Sequence, residues 1–329
     1  HFSVRAVKML ILSGSEIDQC LPMADAITGM KQAFAAASSG AADMPNRTVI
    51  PVGDDSDLAI FMPAHIKDSS TASVKSLTFL PDNENYGLPI IQAVVLVFDV
   101  STGSPVALMD GSRLTAIRTA AGGGASVDLL ARKDSASLAM LGSGNQARAG
   151  IEAACAVRDI SSVRLYSPTP GNAQKLADDL FETQWCPEIH VVSDPDQAVR
   201  DADIVWTATT SSTPTFSRAS VALGTHIVGI GSFQPSMIEI EPSILTSASV
   251  FIDQSDACWS EAGEIISARA QGLLDVEQVI ELGEVVLELH PGRTNDEEVT
   301  VFKSVGIAAQ DAVASSIALD AAINRGIGT

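Results

Sequence analysis

The chain has 329 residues, a net charge of −20, 46% hydrophobic residues and only 5% aromatics, which is enough for two domains with largely aliphatic cores. Such an acidic balance repels nucleic acid and anionic membrane, and no apolar run approaches the roughly 18 residues that span a bilayer. The four cysteines are scattered without a C-x-x-C pair, and His65, His190, His226 and His290 show no metal-ligand spacing. Neither a disulfide framework nor a metal is therefore expected, and the thiols suit a reducing, cytoplasmic compartment.

The stretch "HFSVRAVK" ahead of Met9 is too polar and too short for a secretory signal and reads as an added or processed remnant. "SGSE" (Ser13–Glu16) has the form of a helix capping box, and a helix is predicted from about Pro22 to Ser38. Then come β-rich runs: "RTVIPV", "DLAIFMPA", "TASVKSLTFL" and "PIIQAVVLVFDV". The turn signal "STGSP" and a further strand, "VALMD", close a hairpin. These runs predict one antiparallel or mixed sheet in the first 110 residues, followed by a helix from about Ser112 to Arg132.

From Ser137 the rhythm becomes alternating strand and helix, with strands at "SLAMLG", "SVRLYS", "EIHVV", "DIVWTAT", "THIVGIG" and "SVFID". This alternation predicts a doubly wound, Rossmann-type parallel sheet. The Ala-rich helix that ends the chain has no place in such a domain and is expected to pack back on the first. The fold class is thus α/β: a Rossmann-type domain over 132–304, and an α+β domain over 1–131 with 305–329.

Gly142, Gly144 and Ala147 form G-x-G-x-x-A between a strand and a helix. Gly142 permits the tight turn, Gly144 lets backbone approach a pyrophosphate, and Ala147 allows close helix–strand packing. An ordinary glycine turn is the bland alternative. An NAD site usually carries an acidic residue about 20 positions further on, yet "RLYSPTPGN" offers only Ser167, Pro168 and Thr169 there. Hydroxyls tolerate a 2′-phosphate that an acid would repel, so NADPH is favoured, with NADH possible. Alternatively, Ser167 and Thr169 merely cap the next helix.

Three cations stand out in this acidic chain: Arg47 after "MPN", Lys75 within an apolar strand, and Arg118 in "SRLTAIRTAAGGGA". A lysine in mid-strand must reach water, on an edge strand, or a partner. The three glycines after Arg118 imply either close backbone packing or a helix broken at Gly122. A carboxylate substrate would explain the gathering of cations.

Taken together, "MPNR" (44–47), "MPA" (62–64), "VK" (74–75), "GLP" (87–89), "DVSTGSPVALMDGSRLTAIRTAA" (99–121), "GSGNQA" (142–147), "GIGSFQP" (229–235) and "VFKSVGIAAQD" (301–311) resemble the ornithine cyclodeaminase/mu-crystallin family. The resemblance implies a homodimer whose terminal regions bind substrate and dimerise around an NAD(P)-binding domain. It implies that Arg47, Lys75 and Arg118 grip a substrate carboxylate, with Lys75 also near the reacting carbon, where Lys75 or a bound water supplies the proton. Gly142, Ser143, Gly144, Asn145, Gln146 and Ala147 match the pyrophosphate loop. Thr207, Ala208 and Thr209, Gly231 and Ser232, and Ser304, Val305 and Gly306 fall on the nicotinamide side.

The family's ammonia-releasing members carry an aspartate where this chain has Phe233, which can neither hold an amino group nor move its proton. The resemblance is therefore nearer the imine-reducing branch, which reduces Δ1-pyrroline-2-carboxylate and its six-membered analogue, with Met62 and Phe233 as apolar pocket walls. Two alternatives remain: alanine dehydrogenase or ornithine/lysine cyclodeaminase chemistry on the same scaffold, or a non-catalytic mu-crystallin-like NADPH and ligand carrier. The expected partner is a small cyclic imino acid, with no nucleic acid and no membrane.

Overall fold

The computed structural model describes residues 9–53, 56–183 and 185–329, so the remnant reading of residues 1–8 lies outside the described residues. Two compact units emerge: the chain up to Arg118 with Ile307–Thr329, and Thr119–Gly306.

The first unit begins with β1 (Leu10–Leu12), α1 (Gly14–Cys20), α2 (Met23–Ser38) and the short strands β2 (Ala42–Asp43) and β3 (Thr48–Pro51). Four longer elements follow: β4 (Leu58–Ile66), β5 (Thr71–Phe79), β6 (Ile91–Asp99) and β7 (Pro105–Asp110). The capping box at Ser13 starts α1: the Ser13 backbone N–H donates to Glu16 at 2.8 Å. The order β1-β7-β6-β5-β4-β2, with β3 also on β4, is antiparallel except for β1 beside β7.

Alternation along these strands makes two faces. Ile60, Met62 and Ala64 of β4, Ser73 and Lys75 of β5, and Val95 and Val97 of β6 are all buried on one of them. The edge-strand reading of Lys75 is overturned, because β5 lies between β4 and β6.

The helix α3 (Gly111–Leu130) carries the chain across the division between the units. It runs unbroken through Gly122, so a break there is also overturned. The close-packing alternative holds instead: a Cβ on Gly123 would lie 2.5 Å from the Trp206 ring.

The second unit continues through β8 (Ser137–Leu141), α4 (Asn145–Val157), β9 (Ser162–Tyr166), α5 (Pro170–Phe181), β10 (Glu188–Val192), α6 (Pro195–Val199), β11 (Ile204–Thr207) and β12 (His226–Gly229). It closes with β13 (Ser249–Ile252), α7 (Ser255–Glu261), α8 (Gly263–Ala270), β14 (Val279–Glu281), α9 (Leu282–Val286) and β15 (Thr300–Lys303). Its sheet, in the order β10-β9-β8-β11-β12-β15-β13-β14, is parallel throughout the described pairs. The order reverses at β8 and β11, a switch point whose carboxyl-end crevice is where doubly wound sheets bind ligands.

Finally α10 (Ala308–Arg325) returns to the first unit and packs on α2, β4 and β5, as expected for the last helix. Its alanines bring it close to the sheet: Ala308 and Ala312 join Ile60, Met62 and Ala64 in one core.

Candidate active site

In the first unit, the buried face of β5 carries Lys75 towards α10. Its Nζ lies 2.8 Å from Asp311 Oδ2. Arg118 Nε donates to the other oxygen, Asp311 Oδ1, at 2.9 Å, and Arg118 Nη1 donates to Gln310 Oε1 at 3.3 Å. Gln310 is held in turn by the Ile307 N–H, which donates to Oε1 at 3.0 Å. None of these side chains is more than 6% exposed. Burying charges this deeply is costly unless each has a partner, and Asp311 supplies one to both cations.

The trio still carries one more positive charge than negative. Burial depresses the Lys75 pKa, Arg118 lowers it further, Asp311 partly offsets both, and Arg47 adds a smaller lowering, for a value of about 8. Burial alone would push the Asp311 carboxyl up, but Arg118 and Lys75 together bring it below its ordinary value. Arg47 itself is half-buried. Three polar atoms beside this cluster, Ser73 Oγ, Thr115 Oγ1 and Gln310 Nε2, are buried without a hydrogen-bond partner. Such atoms suit a polar ligand. A surplus-positive cluster in a chain of net charge −20 suits an anionic one.

Met62 is the register partner of Lys75, so both side chains share a sheet face, and Met62 packs among the alanines of α10. Phe233 is half-buried in the loop after β12 and belongs to the second unit.

In the second unit, Gly142 follows β8 with φ +121°, and a Cβ there would lie 2.5 Å from the Ala208 carbonyl oxygen. Only glycine fits this backbone. Gly144 caps α4 without a side-chain hydrogen bond, and a Cβ on it would meet open space. The first-turn N–H groups of Asn145, Gln146 and Ala147 thus form the kind of helix start that takes phosphate. Gln146 Oε1 is a buried polar atom without a partner. Ser143 Oγ donates to Ser167 Oγ at 2.9 Å, and the Thr169 N–H donates to the same Ser167 oxygen at 3.3 Å, which ties the ends of β8 and β9 together. Thr169 occupies the N-cap position of α5, but its side chain makes no capping bond. The capping alternative therefore does not hold for Thr169. These residues fit a dinucleotide.

The segments expected on the nicotinamide side are also brought to this carboxyl edge. The Thr207 hydroxyl is spent inside the sheet, on the Val228 carbonyl at 3.4 Å. Thr209, Gly231 and Ser232 converge on Glu239. Ser304, Val305 and Gly306 converge on Asp253 Oδ2, at 2.7, 3.0 and 2.8 Å. Among the described residues, no group of three His, Cys, Asp or Glu is placed to hold a metal, and no helix is long and apolar enough to cross a membrane.

Sequence reasoning missed Gln310, Asp311, Glu239, Glu264, Lys303 and Asp253. A signal existed for Gln310 and Asp311, an adjacent polar pair opening an otherwise alanine-rich helix. Lys303 likewise ends the apolar run "VTVF".

A model of the ornithine cyclodeaminase/mu-crystallin family matches residues 7–325. The chain is 34% identical over 322 residues to a Δ1-pyrroline-2-carboxylate reductase of Bacillus cereus, covering 97% of this chain and 98% of that protein. It superposes with a TM-score of 0.93 on the Thermococcus litoralis Δ1-pyrroline-2-carboxylate reductase in complex with NADH and L-proline, at 34% identity over 98% of this chain and 99% of the other. An archaeal alanine dehydrogenase dimer with bound NAD gives a TM-score of 0.90 at 31% identity, over 98% of each chain.

Proposed function

The chain belongs to the ornithine cyclodeaminase/mu-crystallin family, and on that footing we propose that it reduces a cyclic imino acid, Δ1-pyrroline-2-carboxylate to proline, by hydride transfer from a nicotinamide dinucleotide. The six-membered piperideine analogue is a second substrate. The observation that carries this reading is the buried, surplus-positive cluster of Lys75, Arg118 and Asp311.

In the proposed mechanism the substrate carboxylate balances the excess charge of Lys75, Arg118 and Arg47, which orients the ring by ion pairing in a dry pocket. Met62 and Phe233 offer apolar surface to its methylenes. Lys75, with a pKa of about 8, is mostly protonated at neutral pH yet gives up its proton far more readily than an ordinary lysine. It protonates the imine nitrogen and makes the neighbouring carbon electrophilic. The loop Gly142–Ala147, with Ser167 and Thr169 at the ribose end, would hold the dinucleotide, and Thr207–Thr209, Gly231, Ser232 and Ser304–Gly306 its nicotinamide half. When bound, the reduced cofactor supplies the hydride.

NADPH is the proposed preference, because no carboxylate stands at the end of β9 to repel a 2′-phosphate. Phe233 supplies no carboxylate for ammonia-releasing chemistry. The deciding experiment is an assay of cyclic and linear imines with NADPH and with NADH. Oxidation of either cofactor with Δ1-pyrroline-2-carboxylate is expected, faster with NADPH. Ammonia release from ornithine or alanine without imine reduction would instead select the dehydrogenase or cyclodeaminase reading, and tight NADPH binding without any turnover the carrier reading.

The assembly proposed is a homodimer in the cytoplasm, a compartment that the four free cysteines suit. The outer face of the first unit's sheet is largely apolar: Phe61 and Val94 flank Ser76 across β4, β5 and β6, and Pro63, Val74 and Leu96 align in the same way. Phe61 is 36% and Val94 45% exposed, a patch suited to a second copy. Sedimentation of the wild type should give a dimer and that of Val94→Lys a monomer. A wild-type monomer at micromolar concentration would rule the dimer out.

A further inference from the structure

Resting on the reading of the second unit as the dinucleotide site, the geometry points to Glu239 as a positioning residue that sets the nicotinamide-side loops at their working separation. Glu239 is completely buried, and each carboxylate oxygen holds a different loop. Oε1 accepts from the Thr209 N–H at 2.6 Å and from the Thr209 hydroxyl at 2.9 Å, just past the end of β11. Oε2 accepts from the N–H groups of Gly231 at 2.7 Å and Ser232 at 2.9 Å, just past the end of β12. One side chain therefore bridges the loops after two neighbouring strands in the half of the sheet that takes the nicotinamide mononucleotide part of a dinucleotide.

The bridge is close. A Cβ on Gly231 would lie 2.2 Å from the Thr209 carbonyl oxygen and 2.5 Å from Glu239 Oε1, so the two backbones meet at a distance that only glycine allows. Glu239 is fixed from its own backbone as well, its carbonyl accepting from the Thr215 N–H at 2.8 Å.

A second buried carboxylate holds the loop from the other side. The Ser232 hydroxyl donates to Glu264 at 2.7 Å, and Lys303 Nζ donates to the Ser232 carbonyl at 2.6 Å while lying 3.3 Å from Glu264. Ser232 is thus clamped between Glu239 and the Lys303–Glu264 pair. Two carboxylates and one lysine lie fully buried here, an arrangement whose desolvation is costly unless every charge is paired and hydrogen-bonded.

The Glu239→Gln variant separates this role from general structural support. The amide keeps one acceptor but turns N–H groups towards N–H groups at one of the two loops. Titration of the purified protein with NADPH or NADH, followed by cofactor fluorescence, should show a dissociation constant raised about tenfold. That for ADP-ribose or its 2′-phosphate, which lack the nicotinamide, should change less than twofold by calorimetry. Should Glu239→Gln fold poorly in a thermal melt, Thr209→Val, which removes the hydroxyl that donates to Glu239 and accepts from the Ser211 N–H at 3.3 Å, should weaken the dinucleotide about threefold with the same selectivity. Equal weakening of both ligands, or of neither, overturns the proposal. A wild type that binds neither ligand would instead overturn the dinucleotide reading on which it rests.

Discussion

Lys75→Ala should lower kcat/KM for Δ1-pyrroline-2-carboxylate by about 10³ or more, since it removes both the proposed proton donor, worth roughly 10²–10⁴, and one of the cations proposed to hold the carboxylate. The wild-type protein should also show a basic limb in its pH profile. Lys75 is protonated below its pKa of about 8, so kcat/KM should fall as pH rises through that value. The limb should be absent from the residual activity of Lys75→Ala.

Stability runs the other way. The folded-state pKa is depressed from 10.5 to about 8, so between those values the unfolded chain binds more protons and stability from this group rises with pH. Below about pH 8 its opposition to folding is constant. The proposed proton donor, poised near neutrality, is thus held at some expense to the fold. A flat profile across pH 7–9, or a Lys75→Ala variant within tenfold of wild type, would remove Lys75 from the chemistry.

The second large effect is expected at Asp311. Asp311→Asn leaves Lys75 and Arg118 facing each other in a buried space with their shared anion gone, and breaking a buried pair in this way costs on the order of 3–5 kcal/mol. Urea unfolding should report that loss. Asp311 raises the Lys75 pKa by its charge and hydrogen bond, so its removal lowers that pKa further below 8. An opposite charge at this range is worth about one to three pH units.

The basic limb should therefore move towards acid. For a shift of about two units, kcat/KM at pH 7.5 should fall about 25-fold, recovering to within about twofold of wild type at pH 6. Asp311→Glu should restore part of the limb's position. Loss of activity that is the same at every pH would mean that Asp311 supports only the fold.

These expectations draw unequally on sequence and structure. The strand runs from Thr48 to Asp110, the alternation after Ser137 and the glycine loop at Gly142–Ala147 are local patterns. Period-two burial, βα rhythm and a tight turn are each encoded within a few neighbouring residues. The sheet around Lys75 and the parallel sheet around β8 and β11 accordingly appear where the sequence pointed. The insertion of β15 between β12 and β13 had no such signal, since a parallel strand's neighbours are not its neighbours in the chain.

The sequence by itself determined most of the strands and the long helices, the glycine loop, and which cations were out of place in an acidic chain. Only the tertiary structure decided what those cations meet. Whether Lys75 met water or a partner depended on β4 and β6 flanking it and on a helix more than 230 residues later bringing Asp311 to it. The burial that lowers its pKa and the anion that keeps it charged both come from distant segments. Electrostatic energy depends on distance in space and on exclusion of water, and neither is written in the order of residues along the chain.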